Sequence, residues 1–433
     1  MKLQGTMAVR NNELYIGGVN CKELREKYQT PLYVFDEELV RNNCREYVKY
    51  FKVNERNNRV AYAGKAFLPM YMCQLINEEG LYLDVVSGGE LYTAYKAEFP
   101  MEKILFHGNN KTVEEVEMGV KLGVGRFVVD NYYELNLLER ICEENKKKQE
   151  IYFRITPGIE AHTHDYIKTG QIDSKFGFTL SNGDLHNAVE SLKNYKNIEL
   201  VGIHAHIGSQ IFDVEPYLDE VKIMMNLVKE IRQTHGINIK EVDLGGGVGV
   251  YYTEKDKPRT IKEFCENIIS MAETVCEEID IEIPTLVIEP GRSVVANGGS
   301  TIYTVGSIKD IKDVRTYVSV DGGMTDNIRP SLYQAGYECS IANKMDEGTQ
   351  KQVTIAGKCC ESGDILITDA DVMDIETGDI LIMASTGAYG YSMASNYNKI
   401  MKPAVVSVIN GESKLICKRE TYEDLLRLEI LNK

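Results

Sequence analysis

Short runs of apolar, mostly β-branched residues recur between residues 59 and 292, each followed by a polar or glycine turn. They predict eight strands, at Arg59–Lys65, Leu81–Val86, Ile104–His107, Arg126–Asp130, Ile151–Thr156, Leu200–Ile207, Glu241–Leu244 and Leu286–Glu289. Intervening segments carry apolar residues at helical spacing, for example Thr112–Leu122, Glu134–Lys147, Glu215–Thr234 and Thr260–Glu278. Strands alternating with helices predict a parallel sheet, and eight such units match an α/β fold of the (β/α)8 (TIM) barrel type. A doubly wound open sheet is the alternative.

The pattern changes after Arg292, where helical periodicity gives way to short strands separated by turns. These strands are predicted at Ser300–Ile308, Thr316–Val320, Gln352–Ala356, Asp379–Met383 and Ala404–Ile409. The strand-like N-terminal runs Glu13–Ile16 and Leu32–Phe35 are compatible with the same region. We therefore predict a barrel domain over 36–285 and a β-rich, sandwich-like or barrel-like domain over 1–35 and 286–433. The long loop from Gly158 to Lys175, which carries His162, Thr163, His164, Asp165 and Gly170, is a candidate lid.

Polar residues or glycines follow the predicted barrel strands. They are Lys65, Asp84, Ser87, His107, Asp130, Arg154, His206, Gly245–Gly247 and Glu289. Any one of them could be a helix cap or a turn residue. In a barrel, however, the carboxyl ends of all strands meet at one mouth, where active sites lie. The set therefore predicts a site at that mouth.

The net charge and the cysteine pattern argue against several classes of function. The formal net charge is −16, which argues against a nucleic-acid partner and against docking on an anionic membrane. Ten cysteines are scattered without zinc spacing, and no signal-like or membrane-spanning apolar run appears. These observations favour a protein of the reducing cytoplasm.

Two motifs carry candidate catalytic side chains. Lys65 ends the first strand, and a lysine desolvated in a barrel mouth can lose its proton and form an imine. A lysine just past a strand is nevertheless more often an ordinary surface residue. His204 and His206 lie on one face of the sixth strand, but no third ligand for zinc is evident. An imidazole stacked on a flat cofactor is equally reasonable, with Gly208 and Ser209 as small neighbouring contacts.

Two further loops predict a phosphate site. Gly245, Gly246 and Gly247 follow the seventh strand, and glycines allow backbone N–H groups to approach a phosphate closely. The eighth strand ends at Glu289-Pro290-Gly291-Arg292, and phosphate sites after strands seven and eight recur in barrels. A carboxylate such as Glu289 can keep a pyridine nitrogen protonated, although pairing with Arg292 is the simpler explanation of the isolated tetrapeptide.

The β-rich region adds three clusters. Cys360 precedes Glu361, and a thiol can donate a proton to a carbanion, although most cysteines are small buried hydrophobes. Arg329 and Tyr333 offer a cation and a phenol four residues apart. Tyr389 lies in a glycine-containing turn.

Jointly, the order and spacing of these motifs resemble the fold-type III pyridoxal-phosphate decarboxylases, which join an alanine-racemase-type barrel to a β domain. The resemblance runs from Thr30-Pro31-Leu32-Tyr33-Val34 to Ser395-Asn396-Tyr397-Asn398. It implies pyridoxal 5'-phosphate as cofactor, Lys65 as the Schiff-base lysine and His206 stacked on the ring. The other implied cofactor contacts are Ser209, Gly246, Gly247, Glu289, Gly291, Arg292 and Tyr389.

The resemblance also implies the substrate and the partner. Arg292, Arg329, Tyr333, Glu361 and Tyr389 resemble substrate ligands, and Cys360 resembles the proton donor. In the family Cys360 and Glu361 reach the active site of the other subunit, which implies a homodimer. No metal is expected. An arginine and a glutamate together suit an amino acid whose far end carries both a carboxylate and an ammonium.

The sequence departs from the family pattern at three places. Phe67 replaces a usual asparagine, Gly336-Tyr337 a tyrosine–histidine pair, and Lys402-Pro403 an arginine–proline pair. None of the three touches a proposed catalytic role, although together they weaken the substrate assignment slightly.

Three alternatives stay open. The first is a decarboxylase for ornithine, arginine or carboxynorspermidine; for the simple diamino acids, an acidic group rather than Arg329 would be expected at the distal pocket. The second is a racemase, which needs a base on each face and a less electron-withdrawing ring. The third is an inactive regulator that keeps the fold as a binding protein, which the retention of Lys65 and Cys360 disfavours.

Overall fold

The structure is a computed structural model of the 433-residue chain that describes residues 1–52, 57–159, 174–348 and 351–431.

The strands in these ranges are β1 (Ala8–Arg10), β2 (Glu13–Ile16), β3 (Val19–Asn20), β4 (Leu32–Asp36), β5 (Arg59–Ala63), β6 (Tyr82–Val85), β7 (Ile104–Phe106), β8 (Arg126–Val129), β9 (Gln149–Thr156), β10 (Phe178–Thr179), β11 (Ile198–Ala205), β12 (Glu241–Asp243), β13 (Thr285–Ile288), β14 (Gly299–Ile311), β15 (Arg315–Val320), β16 (Cys339–Ile341), β17 (Lys351–Ala356), β18 (Ile365–Val372), β19 (Ile380–Met383), β20 (Ala404–Ile409) and β21 (Glu412–Cys417). The helices are α1 (Cys21–Tyr28), α2 (Glu37–Phe51), α3 (Met70–Glu78), α4 (Gly88–Lys96), α5 (Val113–Leu122), α6 (Tyr132–Asn145), α7 (Asp184–Ser191), α8 (Glu215–His235), α9 (Ile261–Glu278), α10 (Arg292–Val295), α11 (Arg329–Tyr333) and α12 (Tyr422–Leu426).

Eight parallel strands close into a barrel. Their order is β9-β11-β12-β13-β5-β6-β7-β8, and β8 pairs with β9 to complete the ring. The predicted (β/α)8 barrel is therefore confirmed, and the open sheet is excluded. The short strand β10, which pairs with β9, was not predicted because only two residues form it.

The barrel contains a buried cluster with side chains from six of its eight strands. This cluster joins Ala61, Leu105, Val128, Tyr152, Val201 and Val287. Since these strands are covered on both faces, they read in the sequence as nearly continuous apolar runs. The surrounding helices begin at recognisable caps: Thr112 and Thr260 each form a capping box with the glutamate three residues later.

The β-rich region forms its own sheets. One follows the order β18-β17-β15-β14-β4-β20-β21, with β19 pairing both β14 and β16. Strand β4 pairs with β14 and β20, so the N-terminal run Leu32–Asp36 belongs to this sheet. All five strands predicted after Arg292 are present, whereas β16, β18 and β21 were missed. Strand β21 is largely exposed or half-exposed, which removes the apolar signal on which the prediction depends.

The chain divides into two compact units. One comprises Asn43–Gly249 and Pro258–Ser293 and holds the barrel; the other comprises Met1–Asn42, Val250–Lys257 and Val294–Lys433 and holds the β-rich sheets. Most of the predicted lid lies outside the described residues, including His162, Thr163, His164, Asp165 and Gly170. Among the helices that the structure describes, none is both long and apolar enough to cross a membrane.

A buried ion pair ties the loop after β7 to helix α6. The ammonium of Lys111 lies 2.6 Å from Oε1 of Glu134, and both side chains are 1% exposed. The same ammonium donates to the carbonyls of Gly108 and Val128, each at 3.0 Å. Burial raises the pKa of Glu134, and Lys111 opposes that rise. The contacts of Lys111 hold this loop against β8 and α6.

Replacing Lys111 with methionine should destabilise the barrel, because it leaves the buried carboxyl of Glu134 without its cation. Loss of one partner of a buried pair costs about 3–5 kcal/mol. The matched control is Lys121→Met, since Lys121 pairs with Glu117 at 2.6 Å on the exposed surface, where such a pair contributes less than about 1 kcal/mol. Calorimetric melting should show a clear drop for the first variant only; equal drops would contradict the assignment.

Candidate active site

Lys65 lies in a single helical turn, Gly64–Ala66, directly after β5. We expected this side chain to be desolvated, but Lys65 is exposed. Burial raises the pKa values of Asp84 and Glu90, and the positive charge of Lys65 opposes that rise. The same charge adds to the lowering of the pKa of His206 that burial causes. The ammonium therefore faces acidic groups at the carboxyl ends of the neighbouring strands, where the sequence placed it.

Three glycines after β12 allow close contact with neighbouring loops. A Cβ on Gly246 would lie 2.1 Å from the carbonyl oxygen of Glu289, and one on Gly247 would lie 2.2 Å from that of Gly208. Gly247 also has a φ of +107°, a conformation that other residues rarely adopt. These positions require glycine, and the loop they form lies against the loops after β11 and β13.

The loop after β13 packs against the end of β5, next to the turn that holds Lys65. A Cβ on Gly291 would meet the Cβ of Ala63 at 2.9 Å. Arg292 is buried, and its Nη2 donates to Oγ of Ser209 at 2.9 Å. The alternative pairing of Arg292 with Glu289 is not the observed contact. Four predicted cofactor residues, Ser209, Gly247, Gly291 and Arg292, thus occupy adjoining loops at one end of the barrel.

Glu289 lies between two imidazoles. Nε2 of His204 lies 3.2 Å from Oε2, and Nε2 of His107 lies 2.6 Å from Oε1. The His107 contact is not aligned as a hydrogen bond, so Oε1 has no aligned hydrogen-bond partner among the described residues although it is fully buried. Burial alone would raise the pKa of Glu289, but the two histidines hold it well below its usual range. Glu289 is therefore ionised.

Two further carboxyls, those of Asp84 and Asp243, lie close to Glu289, and their pKa values are shifted in the opposite direction. Burial raises the pKa of Asp84, and it raises the pKa of Asp243 well above the usual range, with the charge of Glu289 adding to the effect. Oδ1 of Asp243 accepts the backbone N–H of Gly245 at 2.9 Å. Of these three carboxyls, Glu289 is thus the one whose pKa is held below its usual range.

The same cluster holds a donor set that a metal could use. Ligand atoms of His107, His204, Asp243 and Glu289 all lie within 4.8 Å of one another. Two zinc ligands at about 2.1 Å in tetrahedral geometry lie roughly 3.4 Å apart, whereas His107 Nε2 and Glu289 Oε1 are only 2.6 Å apart. As arranged, the cluster is a network of polar contacts around Glu289 and not an open metal cage.

His206 follows β11, and its surroundings differ from those of His204. The backbone N–H of Gly246 donates to its Nδ1 at 3.3 Å. Burial lowers the pKa of His206 well below its ordinary value, and the charge of Lys65 adds to this effect. His206 is therefore a neutral imidazole with its remaining proton on Nε2. The two histidines of the motif thus contact different groups, Gly246 for His206 and Glu289 for His204.

In the β-rich unit, Arg329 is a buried cation. It is 7% exposed, and its Nη1 donates to the hydroxyl of Tyr337. Its guanidinium carbon lies 5.0 Å from the ring centroid of Tyr252. Burial tends to lower the pKa of Arg329, but Tyr252, Tyr337 and Tyr389 together raise it. Among the described residues no carboxylate pairs with this guanidinium.

Tyr337 is the second residue of the Gly336-Tyr337 pair, one of the three departures from the family pattern. Its hydroxyl accepts a hydrogen bond from Arg329, so this departure contacts a proposed substrate ligand and not a proposed catalytic residue. Tyr333 is the last residue of α11 and is half-buried, as is Tyr389, whose φ is +60°.

Cys360 and Glu361 lie on an exposed loop of the same unit. Buried Asp364 fixes the loop by accepting the backbone N–H groups of Met324 at 2.6 Å and Cys359 at 2.8 Å. The backbone N–H of Cys360 donates to Oδ1 of Asn398 at 2.8 Å. The backbone of this loop is therefore held by hydrogen bonds, while the side chains of Cys360 and Glu361 are exposed.

The sequence placed Asp84 and His107 at strand ends but gave neither a role near Glu289. It also gave His204 and Asp243 no such role. The signal was present, since each lies at the carboxyl end of a barrel strand. What the sequence could not show was which strand ends face one another. Tyr252 was missed because nothing in its local pattern connects it with Arg329.

The comparisons with known proteins agree with this geometry. The sequence profile of the pyridoxal-dependent decarboxylase family, pyridoxal binding domain, matches residues 37–296. A diaminopimelate decarboxylase of Bacillus subtilis (strain 168) is 51% identical over 431 residues, covering 99% of this chain and 98% of that protein. Another, of Halalkalibacterium halodurans, is 48% identical with the same coverage. The crystal structure of diaminopimelate decarboxylase from M. jannaschii in complex with L-lysine superposes with a TM-score of 0.93 at 36% identity, covering 100% of this chain and 99% of that one.

Substituting Gly247 by alanine should destabilise the protein more than the same change at Gly236. Both glycines have positive φ, +107° and +70°, so both alanines carry about 1–2 kcal/mol of backbone strain. Only at Gly247 would the new Cβ also overlap a carbonyl oxygen, whereas at Gly236 no atom lies within 4 Å of it. Melting midpoints of the two variants measure the difference. Indistinguishable midpoints would show that the close approach of the two loops is not required.

Proposed function

The chain belongs to the pyridoxal-dependent decarboxylase family, and from this premise we propose that it converts meso-2,6-diaminopimelate to L-lysine and carbon dioxide. The protein is then a carboxy-lyase that performs the last step of lysine biosynthesis. The observation that carries the substrate is Arg329, a buried guanidinium that has tyrosine neighbours and no carboxylate partner among the described residues. A buried cation of this kind is matched to an anionic group of a ligand.

Pyridoxal 5'-phosphate fits the residues at the barrel mouth. Glu289 has one buried oxygen without an aligned partner and is ionised, as a residue facing a protonated pyridine nitrogen must be. The glycine loop of Gly246 and Gly247 has no Cβ that would block a phosphate group. We assign the phosphate to this loop together with Ser209, Gly291, Arg292 and Tyr389, and the cofactor aldehyde to Nζ of Lys65.

The bound cofactor supplies an electron sink for the electron pair left when the bond from Cα to the carboxylate breaks. The side chains of this protein perform the other tasks. Glu289 holds the proton on the ring nitrogen. Neutral His206 would contact the cofactor ring without adding a positive charge. Cys360 donates the proton that Cα gains, so one carboxylate is lost as carbon dioxide and one proton is gained.

Substrate selection is assigned to the far end of the molecule. Arg329 binds the distal carboxylate of diaminopimelate, helped by Arg292, Tyr333 and Tyr389, and Glu361 binds the distal ammonium. A diamino acid without the second carboxylate would leave the buried guanidinium of Arg329 unpaired. Such a loss discriminates strongly between substrates, because a buried charge without its partner costs several kcal/mol. Ornithine, arginine and lysine should therefore be poor substrates.

A racemase is the alternative reaction on the same barrel. It is disfavoured because Glu289 is held ionised by His107 and His204, which suits a protonated, strongly electron-withdrawing ring.

We also propose a homodimer in which Cys360 and Glu361 serve the active site of the partner subunit. Both residues are exposed in the single chain, on a loop fixed by Asp364. An exposed thiol and carboxylate on a rigid base are suited to reach a second copy. All ten cysteines are free, which suits a reducing compartment such as the cytoplasm. No nucleic-acid or membrane partner is proposed, given the net charge of −16.

The substrate assignment is tested by measuring carbon dioxide release from the cofactor-loaded protein. The substrates are meso-diaminopimelate, ornithine, arginine and lysine at equal concentrations. Diaminopimelate should be preferred by a factor of about 10⁴ or more in kcat/KM, because the distal carboxylate satisfies the buried guanidinium.

The control is Arg329→Gln, which keeps an amide donor but removes the charge. This variant should lose most of its activity on diaminopimelate and therefore most of the preference. Turnover of ornithine without turnover of diaminopimelate by the wild-type protein would contradict the proposal.

A further inference from the structure

Glu289 owes its ionised state to two residues to which the proposed function gives no role. Three carboxyls, those of Asp84, Asp243 and Glu289, lie in one buried cluster. Burial disfavours charge on each, and mutual repulsion disfavours more than one charge in the group. Something must decide which carboxyl remains ionised, because the chemistry requires the charge at Glu289.

The two histidines make that choice through contacts with both oxygens of Glu289. Nε2 of His204 is 3.2 Å from Oε2, and Nε2 of His107 is 2.6 Å from Oε1. His107 lies farther from Asp84, at 3.8 Å from its Oδ1. Both imidazoles therefore favour charge on Glu289 over charge on Asp84.

The protonation of His204 fits this arrangement. Burial lowers the pKa of His204 to about 3, even though Glu289 opposes the change. A neutral imidazole carries one proton, and the contact with Oε2 requires that proton on Nε2. The other nitrogen, Nδ1, has no hydrogen-bond partner among the described residues, as expected of a bare lone pair. His204 thus donates one hydrogen bond and adds no positive charge near the ring nitrogen.

The two imidazoles also fix the orientation of the carboxylate. Their ring centroids are 4.8 Å apart with an angle of 73° between the planes. Both rings are buried, and so is Glu289. A carboxylate contacted through both oxygens cannot rotate freely, and each oxygen retains a second lone pair. The remaining acceptor capacity is what an N–H group of a ligand would use.

We propose that His107 and His204 are positioning residues that keep Glu289 a carboxylate facing the pyridine nitrogen of the cofactor, an inference that rests on the proposed function. They touch neither substrate nor reacting atoms. Their effect is on the proton of the ring nitrogen, which stays in place only while Glu289 is charged. Without them the proton would pass to Glu289, and the ring would withdraw electrons less strongly.

The test uses the cofactor-loaded protein with the pyridine nitrogen of pyridoxal phosphate labelled with ¹⁵N. In the wild-type protein the ¹⁵N chemical shift should be that of a protonated pyridinium. The variants His107→Phe and His204→Phe retain the ring volume but remove the imidazole nitrogens that contact Glu289, and their shift should move toward that of unprotonated pyridine. Their kcat should fall about 10- to 100-fold, the usual effect of losing a polar contact with a charged group, while KM changes little.

Rescue provides the matched control. In His107→Gln and His204→Gln the side-chain amide places an N–H near the position of Nε2, so the pyridinium shift should be retained. If the phenylalanine variants do not fold, asparagine at the same positions replaces them, because its shorter amide does not reach Glu289. A general structural role would move the melting midpoint without distinguishing glutamine from phenylalanine or asparagine in the ¹⁵N shift.

The outcomes separate this inference from the proposed function. If the wild-type protein does not bind pyridoxal phosphate or does not decarboxylate any amino acid, the proposed function fails. If it does both, but the donor-removing variants keep the wild-type ¹⁵N shift, only the role of His107 and His204 is overturned. An unprotonated ring nitrogen in an active wild-type protein would overturn it as well.

Discussion

One buried carboxylate, Glu289, must keep its charge in a place where burial opposes it. Two imidazoles provide the compensation by lowering its pKa, whereas burial raises the pKa values of the neighbouring carboxyls of Asp84 and Asp243. The closed barrel makes this possible, because it brings the ends of β6, β7, β11, β12 and β13 together around one group. Opening the sheet at any point would separate a donor from the carboxylate.

The glycine loops matter for the same reason. Gly246 lies so close to the carbonyl of Glu289 that a single added carbon would overlap it, and Gly247 has the same relation to Gly208. The backbone of the glycine loop is therefore fixed against Glu289. Arg292 and Ser209 continue the contact on the other side. The loops to which we assign the cofactor phosphate and the ring nitrogen therefore position one another.

The sequence predicted the barrel because strands buried on both faces are apolar without interruption, and this signal needs no tertiary information. It placed Lys65, His206 and Glu289 at strand ends for the same reason. It could not connect Glu289 with His107 and His204, because their contact depends on which strands become neighbours when the sheet closes. It also misjudged Lys65, whose side chain is exposed, and it could not show the contact of Tyr337 with Arg329, which leaves no local signature. The exposed strand β21 was missed because exposure removes the alternation of polar and apolar residues.

The central claim is that Lys65 anchors the cofactor at the mouth of this barrel. Borohydride reduction of the cofactor-loaded protein, followed by proteolysis and mass spectrometry of the peptides, tests it directly. The account predicts a phosphopyridoxyl group on Lys65, reduced in amount when diaminopimelate is added before the reductant. A phosphopyridoxyl group on another lysine, such as buried Lys111, or on none, would contradict it.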